Sequence, residues 1–326
     1  MDSRILQIDD NNIKSIRDKY PHGLHFVVGD THGEFSTLIK LLEKIDFMPQ
    51  ADHVYFLGDY NYGGCTESLL RYMSQYYQED YTIPGFHLIR GNHEREIFPQ
   101  FELNNLPDVL VLKGKVLNYY LVHAGMVDSG FKLIQTDIET KPEETTFAYA
   151  LSYKAACISG PLRQIVWSQE GLYSHSSLRP LWPEERSLSD AKVCIIHGHT
   201  PYSFLKRDNN FSYGERMLFW EKQKIWFSED LHSFDIDSNL RGGGRLIGDS
   251  YRGLSCVCLE MIDEIAQAHG NALTIDGLRK AENFVFSVVY VPNALKQKDG
   301  DIHRILDAKP KMKLIDIDQQ RQPRIY

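Results

Sequence analysis

Five short apolar segments of this chain are each followed by a short motif that contains glycine together with Asp, Asn or His. This arrangement constrains the fold more than any other feature of the sequence. It occurs five times, at residues 29–33, 58–59, 90–94, 121–125 and 195–200. In open α/β sheets, ligands bind beyond the carboxyl ends of the strands. Glycines at such ends let the backbone turn tightly and approach a ligand closely. The pattern therefore predicts one site assembled from several strand ends.

The segments between these motifs alternate between strand and helix periodicity. Apolar runs and helical spacing predict strands at 24–28, 54–57 and 86–89, and helices at 35–45, 67–77 and 94–101. This alternation favours α/β packing around a partly parallel sheet. In the later half we expect a helix at 144–157 and strands at 116–122, 193–196, 231–236, 254–260 and 284–291. These later strands predict a second sheet packed on the first.

The length of 326 residues allows one large core or two small ones. No linker, internal repeat or low-complexity segment divides the sequence convincingly. We therefore predict a single domain over residues 1–326. Its core is expected at about residues 22–262, followed by a peripheral C-terminal extension at about residues 263–326.

Composition and charge exclude several classes of protein. The net charge is −8, with no cluster of Lys and Arg, which argues against nucleic acid as a main partner. No apolar run is long enough for a signal peptide or a membrane span. The five cysteines are scattered without a Cys-x-x-Cys pair, so we expect reduced thiols and a cytoplasmic location. Cys256 and Cys258 are expected to share one buried face of a strand.

The chemistry of the strand-end residues indicates metal binding. Taken singly, an Asp at a strand end is more often a helix cap or turn residue. A single His is more often a core or surface residue whose ring nitrogens are hydrogen-bonded. Five such motifs in one chain are hard to explain in that way. Carboxylates, amide oxygens and imidazoles are the ligands of zinc, iron and manganese. Asp30 and His32, two residues apart in an extended segment, can point to the same side.

The motifs at 29–33, 91–94 and 198–200, in this order, resemble those of the calcineurin-like metallophosphoesterase superfamily. The likeness is to its serine/threonine phosphoprotein-phosphatase branch in particular, and it runs from about Leu24 to Leu259. Weaker similarity occurs at 165–168, and at 234–237 followed by 243–246. The resemblance implies the metallo-dependent phosphatase fold, which is an α/β architecture with a two-sheet β-sandwich flanked by helices.

The same resemblance implies two divalent metal ions (Mn, Fe or Zn) bridged by one carboxylate. The implied ligands are Asp30, His32 and Asp59 for the first metal, and Asp59, Asn92, His123 and His199 for the second. It further implies that the metals activate a water and that His93 acts as general acid. His197 is the other candidate ligand in its motif. The family pattern places the ligand directly before Thr, so we favour His199 and give His197 a supporting role.

The segment after Asp59 departs from the family pattern. Tyr62 stands where a carboxylate is usual and Gly63 where an arginine is usual, while Gln169 replaces a further arginine of bacterial members. Replacement clamps for phosphate could come from Arg163, Arg179 or Arg186. Arg90 is expected either to contact phosphate or to form an ion pair with Glu94 or another carboxylate. Tyr60 and Tyr62 suggest an aromatic surface on which a ring could stack.

Three functions stay open from the sequence. The first is hydrolysis of phosphate monoesters, with a phosphoprotein or a small phosphate ester as substrate. The second is a dinucleotide polyphosphate hydrolase or phosphodiesterase, because the diadenosine-tetraphosphate hydrolase branch also lacks a carboxylate at the Tyr62 position. The third is a non-catalytic, phosphatase-like binding protein, against which the six ligands and His93 argue.

Overall fold

The computed structural model describes the chain in separate ranges. These are residues 11–61, 65–91, 93–96, 106–123, 146–149, 192–199, 217–220, 225–228, 233–238, 240, 252–274, 277–278 and 284–291. The helices are α1 Asn11–Lys19, α2 Phe35–Lys44, α3 Thr66–Ser74 and α4 Leu259–Ala268, with a 3₁₀ helix at His93–Glu96. The strands are β1 His25–Val28, β2 His53–Phe56, β3 Gly85–Leu88, β4 Val109–Lys113, β5 Asn118–Val122, β6 Thr146–Tyr149, β7 Val193–His197, β8 Met217–Trp220, β9 Ile225–Ser228, β10 Ser233–Asp235, β11 Gly253–Cys258 and β12 Val285–Val289.

The strands form two mixed sheets. The first has the order β12-β11-β1-β2-β3, in which β1, β2 and β3 are parallel and β11 and β12 are antiparallel to their neighbours. The second has the order β6-β4-β5-β7-β10-β9-β8, with β5, β7 and β10 parallel. Two mixed sheets flanked by helices confirm the predicted α/β fold class. Among the helices of the described ranges, none is long and apolar enough to cross a membrane.

Alternate residues of β1 and β2 enter different cores, as strand geometry requires. Phe26 and Phe56 pack with apolar residues of α2 and α3 on the outer face of the first sheet. Val27, Tyr55 and Leu57 pack with residues of the second sheet in the interior of the sandwich. Because both faces are covered, these parallel strands are apolar almost throughout. The strands are therefore fixed on both sides, and the loops at their ends are fixed with them.

The predicted helix at 144–157 is wrong at residues 146–149, which form strand β6. This strand pairs antiparallel with β4, with Val109 opposite Tyr149. Thr and aromatic residues suit strands, and the free edge of β4 supplies backbone partners that an isolated segment lacks. The helix expected at 94–101 is a 3₁₀ helix at His93–Glu96, and 97–101 lie outside the described residues.

Sequence periodicity missed α1, α4, β4, β8 and β9, and the strand expected at 254–260 ends at Cys258, where α4 begins. Cys256 and Cys258 are buried free thiols, as predicted. Strand β12 lies beyond residue 262 and pairs with β11 over five residues, so this part of the C-terminal region belongs to the first sheet. The single-domain division of the chain stays a prediction.

A buried ion pair attaches α1 to the first sheet. The Arg17 guanidinium donates to both carboxylate oxygens of Asp52 and to the carbonyl oxygens of Ile45 and Asp46. Asp52, directly before β2, is fully buried and also accepts hydrogen bonds from two backbone N–H groups. The Arg17 guanidinium and the Asp52 carboxylate therefore neutralise each other, and each is also hydrogen-bonded to backbone groups.

Replacing Asp52 by Ala is expected to destabilise the fold strongly. The change leaves the Arg17 charge buried without its partner, a situation that typically costs about 3–5 kcal/mol. The matched control is Glu67→Ala, which breaks the exposed Glu67–Arg71 pair on α3 and should change stability by less than about 1 kcal/mol. Denaturant unfolding of both variants measures the difference. Equal losses would show that the buried pair does not hold α1 to the sheet.

Candidate metal centre

The carboxyl ends of parallel strands from both sheets meet at one end of the sandwich. In the first sheet, Asp30 follows β1 and Asp59 follows β2. In the second sheet, His123 follows β5 and His199 follows β7. Backbone hydrogen bonds link these loops, from His32 N to Asp59 O at 2.8 Å and from Gly198 N to His123 O at 2.8 Å. The parallel topology thus brings together side chains that are far apart in sequence.

Two groups of potential metal ligands form at this end of the sandwich. Within each group, one possible ligand atom per residue lies within 4.8 Å of the others, and all five residues are buried. The first group contains Asp30, His32 and Asp59, and the second contains Asp59, His123 and His199. Asp59 belongs to both groups. This sharing is the arrangement expected of a carboxylate that bridges two cations.

The protonation of His123 suits it to bind a cation. Its Nδ1 lies 2.7 Å from the carbonyl oxygen of Leu57, which can only accept, so Nδ1 carries the proton. Its Nε2 then carries the lone pair and lies 3.4 Å from Asp59 Oδ1. Burial lowers the pKa of His123 to about 4, which keeps the ring neutral. A neutral imidazole fixed through its other nitrogen is the usual form of a metal ligand.

The backbone of three of these residues is in the left-handed region. The φ angles are 44° at His32, 55° at Asp59 and 69° at His199. Non-glycine residues rarely adopt such angles, at a cost of about 1–3 kcal/mol each. Strain of this kind persists where the surrounding structure enforces it, and it concentrates at functional sites. Of the six non-glycine residues with positive φ in the described ranges, three belong to the groups of potential ligands, and the other three are Asp46, Lys192 and Asn271.

Glycines allow the two carboxylates to lie against neighbouring loops. A Cβ on Gly198 would come within 2.1 Å of Asp30 Oδ1. A Cβ on Gly91 would come within 2.3 Å of Asp59 Oδ1. Any other residue at either position would push the carboxylate away. Glycine is therefore required at Gly198 and Gly91 because the carboxylates of Asp30 and Asp59 lie directly against the backbone there.

The centre has an excess of buried negative charge. Burial, followed by the charges of Asp237 and Asp59, raises the pKa of Asp30 well above its usual range. Burial and the charge of Asp237 likewise raise the pKa of Asp235. A raised pKa here means that the ionised form is unfavourable in the absence of added positive charge. Divalent cations would supply that charge, so the donor set and its electrostatics fit a metal centre.

His93 occupies a different position from the other histidines of the site. Its backbone N–H donates to Asp59 Oδ1 at 3.0 Å, and its ring Nε2 lies 3.7 Å from Asp59 Oδ2. The side chain of His93 is 24% exposed, whereas that of His32 is 7% exposed and that of His123 is fully buried. The ring therefore borders the carboxylates and also faces outward, where a substrate could reach it.

Glu94 is a site residue to which sequence reasoning assigned no role of its own. Its buried carboxylate accepts hydrogen bonds from the backbone N–H groups of Asp59, Tyr60 and Gly91, at 2.9, 2.8 and 2.5 Å. One side chain thus joins the loop after β2 to the loop after β3. Burial and the Asp59 charge raise the pKa of Glu94 to about 8. Its position beside Asn92 and His93 in the motif was the signal that could have revealed it.

One expectation about neighbouring residues is wrong and another is confirmed. The expected stacking surface at Tyr60 is wrong, because Tyr60 is fully buried and its hydroxyl donates to the carbonyl oxygen of Ile89 at 2.7 Å, with that of Phe56 at 3.1 Å. Arg90 forms a buried ion pair with Asp108, with Nε at 2.8 Å from Oδ1, which confirms the ion-pair alternative. Asn92, which the family resemblance implies as a ligand of the second metal, lies outside the described residues. So do the loop and clamp positions Tyr62, Gly63, Arg163, Gln169, Arg179 and Arg186.

His197 and two aspartates surround the ligand groups. His197 ends β7 and is buried, and its carbonyl oxygen accepts from Ile236 N at 2.9 Å, which fits a supporting role. Asp235 and Asp237 are buried nearby, and Asp237 N donates to Asp235 Oδ1 at 3.0 Å. Their segment, residues 234–237, shows only weak similarity to the family pattern. Asp235 ends β10 and Asp237 follows two residues later, a spacing like that of Asp30 and His32, and this was the available signal.

The chain belongs to the calcineurin-like phosphoesterase family, whose model matches residues 26–231. Membership in this family supports a hydrolase that acts on phosphoric ester bonds.

Solved structures similar to this chain include several phosphatases. A serine/threonine phosphatase from Saccharomyces cerevisiae, with similarity to human phosphatase PP5, is 18% identical with a TM-score of 0.44, covering 74% of each chain. A cold-active protein-tyrosine phosphatase from a psychrophilic Shewanella is 16% identical with a TM-score of 0.42, covering 73% of this chain and 77% of that one. A candidate diadenosine tetraphosphatase is 15% identical with a TM-score of 0.39, covering 83% of this chain and 95% of that one. These values are too low to transfer a substrate.

Glu94→Gln is expected to loosen the Asp59 loop without changing side-chain size. The amide offers one acceptor where the carboxylate offers two, so backbone N–H groups lose partners at a cost of about 1–3 kcal/mol. We expect weaker metal retention on dialysis together with lower thermal stability. Glu67→Gln, an exposed change on α3, is the matched control. Unchanged metal retention in Glu94→Gln would show that Glu94 does not position Asp59.

Proposed function

We propose that this protein is a dinuclear-metal phosphoesterase that hydrolyses phosphate monoesters. The observation that carries the proposal is the pair of buried ligand groups that share Asp59. A single structural metal would need only one closed set of ligands. Two adjacent sets that share a carboxylate at strand ends instead suit catalysis on a phosphoryl group. Membership in the calcineurin-like phosphoesterase family supports the same reaction class.

The proposed ligands are those that the sequence motifs predicted. Asp30, His32 and Asp59 would hold the first metal, and Asp59, Asn92, His123 and His199 the second. The mixture of carboxylate and imidazole donors suits Mn, Fe or Zn. When bound, such ions would supply positive charge for phosphoryl oxygens and lower the pKa of water.

In this proposal His93 donates a proton to the leaving-group oxygen. Its backbone N–H bonds to Asp59, which fixes the residue beside the centre, while its partly exposed ring can meet a substrate. His93 Nε2 lies 3.7 Å from Asp59 Oδ2, so the ring borders the position where a phosphate would meet the metals. From there the ring could deliver a proton to the leaving-group oxygen.

The proposed substrates are a phosphorylated protein or a small phosphate ester. A partly exposed His93 bordering a buried centre suits a phosphate that projects from a larger molecule. The burial of Tyr60 removes one argument for a stacked nucleotide base at this site. Rates on a phosphopeptide, an aryl phosphate, an aryl diester and a dinucleotide polyphosphate would separate this proposal from a diesterase.

Asp59→Asn is expected to reduce the binding of both metals, whereas Asp30→Asn should weaken mainly the first. The reason is that Asp59 belongs to both ligand groups and Asp30 to only one. Metal content after dialysis, measured by elemental analysis, distinguishes the two variants. Full occupancy of two metals in Asp59→Asn, with normal turnover, would rule out a bridging role.

His93→Gln is expected to keep both metals yet lose roughly 100- to 10,000-fold in kcat for esters with poor leaving groups. The loss should shrink for an activated aryl phosphate, since its leaving group needs little protonation. Measurement of kcat and metal content on both substrates tests this. An equal loss on the two substrates would instead assign His93 to positioning of the phosphate.

A further inference from the structure

Both backbone groups of His93 are bound by side chains of the loop that follows β2. The His93 N–H donates to Asp59 Oδ1 at 3.0 Å, and the His93 carbonyl oxygen accepts from Asn61 Nδ2 at 2.5 Å. Because a carbonyl oxygen has no proton to give, the Asn61 amide must present its nitrogen there. The two peptide planes that flank the His93 Cα are therefore held from outside the residue. With both planes held, the direction of the Cα–Cβ bond that carries the ring is fixed as well.

The Asn61 amide comes from a firmly anchored part of the loop. The preceding residue, Tyr60, is fully buried, and its hydroxyl donates to the carbonyl oxygen of Ile89 at 2.7 Å. The Tyr60 N–H donates to Glu94 Oε1 at 2.8 Å. Asn61 itself is only 8% exposed. Its hydrogen bond to His93 is therefore shielded from competing water, and its donor cannot easily move away.

The His93 ring is bordered by two residues of the first ligand group but is not enclosed by them. Its centroid lies 6.1 Å from that of His32, with the rings edge to face at 69°. Its Nε2 lies 3.7 Å from Asp59 Oδ2, and the side chain is 24% exposed. Since one side of the ring is open, contacts of the ring alone do not determine where it points. The orientation of the backbone supplies part of its direction.

A contact that served only to join the two loops would not need an amide at position 61. Glu94 already joins them by accepting from three backbone N–H groups. Asn61 Oδ1 is buried and has no hydrogen-bond partner within the described part of the chain. A buried acceptor in this state lowers stability, and an apolar side chain of similar size would avoid that loss. The amide is therefore better explained by its effect on His93 than by the stability of the loops.

We propose that Asn61 is a positioning residue for the proton transfer assigned to His93, acting through its hydrogen bond to the His93 carbonyl oxygen. This inference rests on the proposed function, and it gives Asn61 no contact with metal or substrate. In that reaction a proton moves from the His93 ring to the leaving-group oxygen as the bond between this oxygen and phosphorus breaks, and water supplies the new oxygen on phosphorus. A misplacement of about 1 Å in such a step can cost on the order of 100-fold in rate.

Asn61→Leu removes the donor at nearly constant side-chain size. For an ester with a poor leaving group we expect kcat to fall about 10- to 100-fold, because the ring is no longer aimed at the leaving-group oxygen. KM should change by less than about twofold, since substrate binding is not affected, and both metals should be retained. The loss should shrink for an activated aryl phosphate, whose leaving group needs little protonation. Asn61→Gln, which keeps an amide donor, should recover part of the rate.

The effect of Asn61 should depend on the presence of His93. In a His93→Gln background, Asn61→Leu should cost no further rate, because residues that act as a unit are not additive. The matched control is Thr37→Val, which removes another buried side-chain donor to a backbone carbonyl, that of Val291 at 3.2 Å. Thr37 lies on α2 and belongs to neither ligand group. Its replacement should leave kcat unchanged on both substrates.

The position of the ring can also be observed without any reaction. Proton–nitrogen NMR of the histidine rings is recorded on protein loaded with Zn, which is diamagnetic, and the His93 signal is assigned by its loss in His93→Gln. We expect Asn61→Leu to shift or broaden this signal, and Thr37→Val to leave it in place. Asn61→Asp keeps the shape of the side chain but presents only acceptors when ionised, so it serves as the second variant if the Leu variant does not fold.

Three results would overturn the inference. The first is a rate loss in Asn61→Leu that is equal for the two substrates, and the second is one that persists in the His93→Gln background. The third is a His93 NMR signal that Asn61→Leu leaves unchanged. Failure of the proposed function looks different, because the wild-type protein would then hydrolyse none of the phosphate esters. In that case the NMR comparison alone decides whether Asn61 fixes the His93 ring.

Discussion

The burial of Asp30 and Asp59 close together is the constraint on which the rest of this structure depends. Two carboxylates in a low-dielectric interior repel each other, and burial penalises the charge of each. The chain adds Asp235 and Asp237 nearby and so increases the unfavourable charge. Of the side chains that the structure describes, imidazoles and backbone N–H groups surround the two carboxylates, whereas Arg90 is paired with Asp108. Bound cations would remove this repulsion between the carboxylates. The strained loops would then hold the side chains in a geometry that only the cations complete.

The two-sheet architecture supplies the rigidity that such a site requires. Each carboxylate follows a strand with both faces covered, and the histidines of the second sheet approach from the opposite side. Glu94 then joins two loops of the first sheet through backbone N–H groups, without itself entering a ligand group. Cores on both faces of the first sheet thus determine where Asp30 and Asp59 lie, and hydrogen bonds between loops determine how they point.

Sequence patterns predicted the strand-end site because its information is local. A buried strand followed by Gly-Asp or Gly-x-His is readable residue by residue, and parallel strands necessarily bring their carboxyl ends together. The strand Thr146–Tyr149 could not be predicted in this way, since its partner β4 supplies the backbone bonds that decide its conformation. The burial of Tyr60 was equally invisible, because it depends on carbonyl oxygens of β2 and of the loop after β3. The motif position of Glu94 and the spacing of Asp235 and Asp237 mark these residues as candidates, but their partners in other loops cannot be read from local spacing.

Strands β1 and β2 have a consequence for how this sequence can vary in length. Each has four residues, begins with a histidine and is followed by a carboxylate of the candidate metal centre. One inserted residue would exchange the inner and outer faces of the strand. Inner side chains such as Val27 or Tyr55 would then turn toward α2 and α3, and Asp30 or Asp59 would leave its neighbours. An insertion or deletion within either strand would therefore disturb the candidate metal centre and both packed faces of the first sheet at once.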